Sequence, residues 1–198
     1  MLLRDYLPSN CDTSGIIGLA RQIANLLLAD QPAGEVVDIS ANVTIAGSST
    51  LPFLQKDAAN ALIAAINEKG EKPRLVHALR VLPQQYAVFY WYTHGKRCGV
   101  KLAASPGSSP HERAVAIDIN DHGDWIQVLK KHNWKWRGNE DPPHFNYVGS
   151  SDPDFHREGI RAFQRLWNQH NPTDTIAEDG SYGPKTEKRL EASPIEGF

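Results

Sequence analysis

Two of the eight histidines stand among acids and small residues in a way that could do chemistry. His111 leaves a loop rich in Gly, Ser and Pro (105–110), and Asp118 follows seven positions later. Between them Val115, Ile117 and Ile119 alternate with Ala114, Ala116 and Asp118. That is the two-residue period of a strand, so Asp118 shares its face with alanines only. Small side chains there leave room for an ion between a carboxylate and an imidazole. His144 follows a Pro-Pro pair that stiffens the chain, with Asp141 three residues before it.

Two imidazoles and one carboxylate are a set used by catalytic zinc, which keeps a fourth position for water and lowers that water's pKa to about 7. A second carboxylate must then take the water's proton and pass it to a leaving amine, and Asp141 suits that role better than Glu140. The same residues also read as two strand-end histidines beside ordinary surface acids. Spacing alone leaves both readings open.

The elements that must position these residues follow from periodicity and breakers. A helix is expected over 14–28, with Ile16, Ile23, Leu26 and Leu27 on one stripe, ended by the Pro-Ala-Gly turn within 30–35. Leu54, Ala58, Leu62, Ile63 and Ile66 recur at helical spacing over 54–67, with Gly70 as the stop. Strand character follows at 75–79, and the aromatic run 84–92 is expected to be a buried helix. A short helix over 124–132 carries Trp125 and Leu129. In 134–147, Pro142 and Pro143 forbid a helix and the His144 to Val148 run favours extended chain. A linker-like stretch at 149–154 precedes helices over 158–170 and 186–192.

The chain carries 21 basic and 23 acidic residues, a net charge of −2, so it lacks the basic surface that nonspecific nucleic-acid binding requires. Arg21, Gln22 and Asn25 interrupt the most apolar stretch, 16–28, so neither a membrane span nor an export signal is expected there. Cys11 and Cys98 are too few for a disulfide scaffold or, alone, a structural zinc site, and their spacing does not say whether they meet.

Taken together these segments resemble the zinc D-Ala-D-Ala carboxypeptidase family, which also contains L-Ala-D-Glu endopeptidases and the vancomycin-resistance DD-peptidases. The first metal motif of that family runs Ser-x-His-x-x-Gly-x-Ala-x-Asp, and the chain has Ser109, His111, Ala114, Ala116 and Asp118, with Ala114 in place of the Gly. The second motif is an acid, two residues, then His-Phe or His-Trp, as in Asp141-Pro-Pro-His144-Phe145. Ala78-Leu79-Arg80 followed by Gln84 and Gln85 is similar to a third element, with Val81 in place of a Ser or Thr. Trp134-Lys-Trp136-Arg-Gly138 also looks familial, as part of the core and cleft wall. The resemblance covers 51–149.

It implies His111, Asp118 and His144 as zinc ligands and Asp141 as general base. It also implies Arg80 as the anchor for a substrate carboxylate, with Gln85 and Ser109 contacting substrate. A guanidinium suits the Arg80 role because it holds a carboxylate by two parallel hydrogen bonds. The expected fold is α+β: a small antiparallel sheet with covering helices and a rim zinc site, plus a C-terminal helical extension. The implied activity is hydrolysis of peptidoglycan stem peptides, with D-alanyl-D-alanine carboxypeptidase ahead of L-alanyl-D-glutamate endopeptidase. The readings from other classes are a noncatalytic peptidoglycan-binding module and a structural protein with an incidental His-Asp-His cluster.

The Phe163-Gln164 helix and the Asp179-Gly180 to Thr186 loop resemble the second half of a peptidoglycan-binding domain. The expected division is therefore a peptidase over 1–150 and a helical segment over 151–198. A monomer is expected, with peptidoglycan peptide as substrate, no nucleic-acid partner and no membrane insertion. The substrate would place the protein in the periplasm or cell wall.

Overall fold

The computed structural model describes residues 1–95 and 97–198. In chain order its elements are α1 (Leu3–Tyr6), α2 (Ile17–Ala29), β1 (Val36–Asp38), β2 (Thr44–Ile45), β3 (Phe53–Gln55), α3 (Lys56–Lys69) and β4 (Arg74–His77). There follow α4 (Leu82–Thr93), β5 (Ala116–Ile119), α5 (Ile126–Lys131), β6 (Trp134–Trp136), β7 (His144–Tyr147), α6 (Phe155–His170) and α7 (Pro184–Glu191). The class is α+β, as expected. Among the described residues no helix is long and apolar enough to cross a membrane.

Two compact units interleave along the chain. One comprises Gln31–Arg80 and Arg113–Pro153, the other Met1–Asp30, Val81–Glu112 and Asp154–Phe198. The sequence reading drew a single boundary, after residue 150.

The first of these units holds a five-stranded sheet in the order β2-β4-β5-β7-β6, antiparallel throughout except for the parallel β2–β4 pair at one edge. A separate antiparallel pair, β1–β3, precedes α3. That pairing moves the start of the expected 54–67 helix to Lys56, since Phe53–Gln55 is drawn into the ladder. Gly70 caps α3 in the left-handed conformation (φ 75°), which glycine adopts without steric cost. One face of the sheet contributes Leu75, Ile117, Ile119, Phe145 and Trp134 to a core completed by Ala58, Leu62 and Ile66 of α3 and Leu129 of α5. Each fully buried large apolar side chain of this kind contributes roughly 1.5–3 kcal/mol. Because side chains alternate along a strand, Asp118, His144 and Asn146 fall on the opposite face.

In the helical unit, Leu19, Ala20, Ile23, Ala24 and Leu27 of α2 form a buried stripe at helical spacing, while Leu26 is only half-buried. α2 packs against α4 and α6. The residues 151–198 do not stand apart from the N-terminal segment. Leu3 N–H donates to Ser193 O (2.9 Å) and Ile195 N–H to Met1 O (3.0 Å). Gln164, buried on α6, explains the composition of the loop that faces it. Its Nε2 donates to Asp179 Oδ1 (3.0 Å) and Ser181 O (3.2 Å), and its Oε1 accepts Gly180 N–H (2.9 Å). Pro184 then opens α7 at a position where its missing N–H costs nothing.

The two cysteines, left open by spacing, are joined: Cys11 and Cys98 form a disulfide across 87 residues of chain. Such bonds persist in oxidising compartments.

Candidate metal centre

The site is organised by sheet register. β5 and β7 pair so that Asp118 lies opposite His144, and β4 and β5 pair so that His77 lies opposite Asp118. Three neighbouring strands therefore set His77, Asp118 and His144 in one row. Strict alternation would put His77 on the core face with Leu75. The β4–β5 register instead shifts between Leu75, opposite Ile119, and His77, opposite Asp118. Two residues of β4 span one step of β5, a bulge, and a bulge re-aims the side chain that follows it.

Asp118 is the hub. Its Oδ1 faces His144 Nδ1 at 2.9 Å, and its Oδ2 lies 3.2 Å from His77 Nδ1 and 3.4 Å from an Arg80 Nη2. All of this is largely shielded, with 13% of the Asp118 side chain and 5% of the His144 side chain exposed. His144 is gripped on its far side, where Nε2 lies 2.9 Å from Asn146 Oδ1. With the amide in that orientation Nε2 is the donor, because a carbonyl oxygen only accepts. Nδ1 of a neutral ring then aims its lone pair at Asp118 Oδ1, itself an acceptor. A facing imidazole nitrogen and carboxylate oxygen at this distance can hold a metal ion between them; with the Asn146 amide turned, Nδ1 donates to Asp118 instead. The donor set thus fits a metal, and Asn146 supplies the outer hydrogen bond that metal-binding histidines usually make.

His111 and Ser109 close the loop at the end of the Val81–Glu112 segment, and both are buried. The loop is shaped by Glu112, whose carboxylate accepts the N–H groups of Gly107 (2.9 and 2.8 Å) and Ser109 (3.1 Å). Ser109 Oγ accepts the His111 N–H (3.3 Å). Along the stretch from 111 through 118 to 144, one ligand atom from each of His111, Asp118 and His144 lies within 4.8 Å of the others, a buried His-Asp-His cluster able to hold a metal ion. The identity of that metal is not fixed by the donors.

Asp141 sits in the turn before β7, where His144 N–H donates to Asp141 O (3.1 Å). Burial first, and the charge of Asp118 second, push its carboxyl above the ordinary aspartate range, against the opposing pull of His144, Arg137 and Arg80. Gln85 lies on α4, buried, and its Nε2 donates to Ala104 O (2.7 Å). Of the residues expected at the site, Arg80, Asp118, Asp141 and His144 are therefore gathered at one end of the sheet, and His111 joins through the cluster. Gln85 and Ser109 have backbone partners within the helical unit. His77, Asn146 and Glu112 were not expected. Asn146 was within reach of sequence reasoning, being two residues past His144 on the same strand face.

Ala114 replaces the glycine of the resembled motif, and it adopts a left-handed conformation (φ 53°) while fully buried. Its carbonyl accepts the Gln55 N–H (2.9 Å), and Gln55 Nε2 donates to Arg113 O (2.7 Å), so the turn into β5 is pinned from β3. Ala114→Gly is expected to stay within about 1 kcal/mol of the parent, since relief of strain offsets added backbone entropy. Ala114→Val should cost roughly 2–4 kcal/mol, from strain at a β-branched residue and from overpacking. Urea midpoints of the two variants check this, and equal midpoints would count against a strained turn.

No protein-family model and no curated protein matches this chain.

Proposed function

We propose that this chain is a zinc metallopeptidase acting on peptidoglycan stem peptides, as a D-alanyl-D-alanine carboxypeptidase. The observation that carries the reading is the buried His111, Asp118 and His144 cluster with Arg80 and Asp141 beside it. A zinc ion bound there would polarise a carbonyl and make water acidic enough to attack near neutral pH. Asp141 holds its proton at higher pH than an ordinary aspartate, which suits a group that accepts a proton and returns it to a leaving amine. Arg80, 11% exposed along its side chain, keeps its guanidinium at the site through Asp118, and a guanidinium is the group suited to recognise a substrate carboxylate.

A terminal carboxylate on Arg80 makes the enzyme a carboxypeptidase; an internal one gives the L-alanyl-D-glutamate endopeptidase from the same groups. The second reading, a noncatalytic peptidoglycan-binding module, draws on a different feature. A cavity of about 410 Å³ in the 164–186 region is lined by Ile176, Tyr182, Pro184 and Asp179.

Metal content is the first test: the purified protein is expected to carry zinc, and His144→Ala to lose it. Digestion of defined muropeptides, read by mass, then assigns the bond. Free D-Ala means carboxypeptidase, and separation of L-Ala from D-Glu means endopeptidase. Asp141→Ala should keep zinc while turnover falls by about 10²–10⁴. A zinc-free parent protein overturns the reading, and a zinc-loaded parent that pellets with wall but releases nothing favours the binding module.

A further inference from the structure

We propose that His77 is the positioning residue of Asp118, fixing which carboxylate oxygen is presented at the metal centre. The inference rests on the metallopeptidase reading above. The bulge in β4 takes His77 off the core face, where alternation would place it, and sets it in the row with Asp118 and His144. A bulge sacrifices regular pairing, so its product is a specific side-chain direction. Here that product is the contact of His77 Nδ1 with Asp118 Oδ2 at 3.2 Å. A carboxylate only accepts, so Nδ1 carries the proton and donates.

The consequence is an asymmetry between the two oxygens. Oδ2 is occupied from the β4 side, by His77 and, more distantly, by Arg80 at 3.4 Å. Oδ1 is the oxygen that faces His144 at 2.9 Å. Of these contacts on Oδ2, Arg80 reaches it from beyond the end of β4 on a long side chain. His77 approaches from the directly opposed residue of the neighbouring strand, so the sheet itself sets its position. Without His77 the carboxylate loses its shorter contact on Oδ2, and its terminal torsion, broad for aspartate, is held less firmly. Binding an ion would then have to fix that torsion. Outer hydrogen-bond partners of metal ligands typically change metal affinity by about 10–100-fold when removed.

The test uses the full chain and zinc alone, competed against a chromophoric chelator, with cobalt substitution as a second readout. His77→Leu fills the space without a donor and is expected to weaken zinc binding by about 10–100-fold. It should also shift the visible cobalt bands, because the carboxylate ligand is no longer held. His77→Asn places an amide N–H close to the position of Nδ1 and is expected to restore affinity to within about 3-fold of the parent, below the range of a lost outer partner. Should His77→Leu fail to fold, His77→Gln takes its place, with its donor one bond further out and the same direction of loss expected. Parent-like zinc affinity and cobalt spectra in a folded His77→Leu or His77→Gln protein overturn the positioning role while leaving the metal reading intact. A parent chain that takes up neither zinc nor cobalt overturns both.

Discussion

On the metallopeptidase reading proposed above, Asp118→Ala is expected to abolish zinc binding and to destabilise the metal-free protein by about 3 kcal/mol or more. The first effect follows from losing one of three ligands. The second follows from what the carboxylate holds: His144 at 2.9 Å, His77 at 3.2 Å and Arg80 at 3.4 Å, in a place where only 13% of its side chain meets solvent. Removing one member of a shielded charged network takes from each of the others a charged contact it makes in the fold, and breaking a buried pair in this way typically costs about 3–5 kcal/mol. Asp118→Asn separates the two effects. It keeps an acceptor for one of the three groups, so its stability should fall between alanine and the parent, while zinc binding is still lost. Urea unfolding of the metal-free proteins, with zinc content measured in parallel, checks both. An alanine variant with the parent's urea midpoint would show that the hub contributes nothing to the fold.

Opening the Cys11–Cys98 bond is the other large effect. The bond closes a loop of 87 residues between the segment before α2 and the one after α4, both in the helical unit. In the chain-entropy account a loop of that length restricts the unfolded state by roughly 4–5 kcal/mol. Full reduction, or the pair Cys11→Ser and Cys98→Ser, is therefore expected to lower Tm by about 10 °C for a chain of this size. Melts with and without reductant, with thiols titrated to prove reduction, provide the measurement. An unchanged Tm in a fully reduced sample would show that this loop is already ordered in the unfolded chain.

Local pattern carried far in some elements and failed in others for identifiable reasons. The alternation through Val115, Ile117 and Ile119 was enough to place β5 and to put Asp118 on the alanine face, because the core face takes large apolar side chains while the other face takes small ones beside the polar cluster. The start of α3 was legible only to within two residues, since the capture of Phe53–Gln55 by β1 is a long-range pairing with no local mark. The stripe on α2 was found, yet Leu26 was put on it and Leu19 was not, because the direction of the stripe depends on where α4 and α6 pack. Ala114 was visible as a departure from the resembled motif. Its left-handed backbone explains why a glycine is at home at that position.

The sequence by itself pointed to His111, Asp118 and His144 as a set able to hold a metal ion, and to the strands that carry Asp118 and His144. Those are properties of side-chain chemistry and of periods two and 3.6, which operate over a few residues. Tertiary structure decided the rest. A register shift in β4 turned His77 from a core position into the neighbour of Asp118, and register is a property of two strands. The closure of Cys11 on Cys98, and the pairing of residues 1–30 with 151–198, likewise depend on segments far apart in the chain. No spacing rule reaches across such distances, because what selects these contacts is the burial of faces that meet only once the chain has folded.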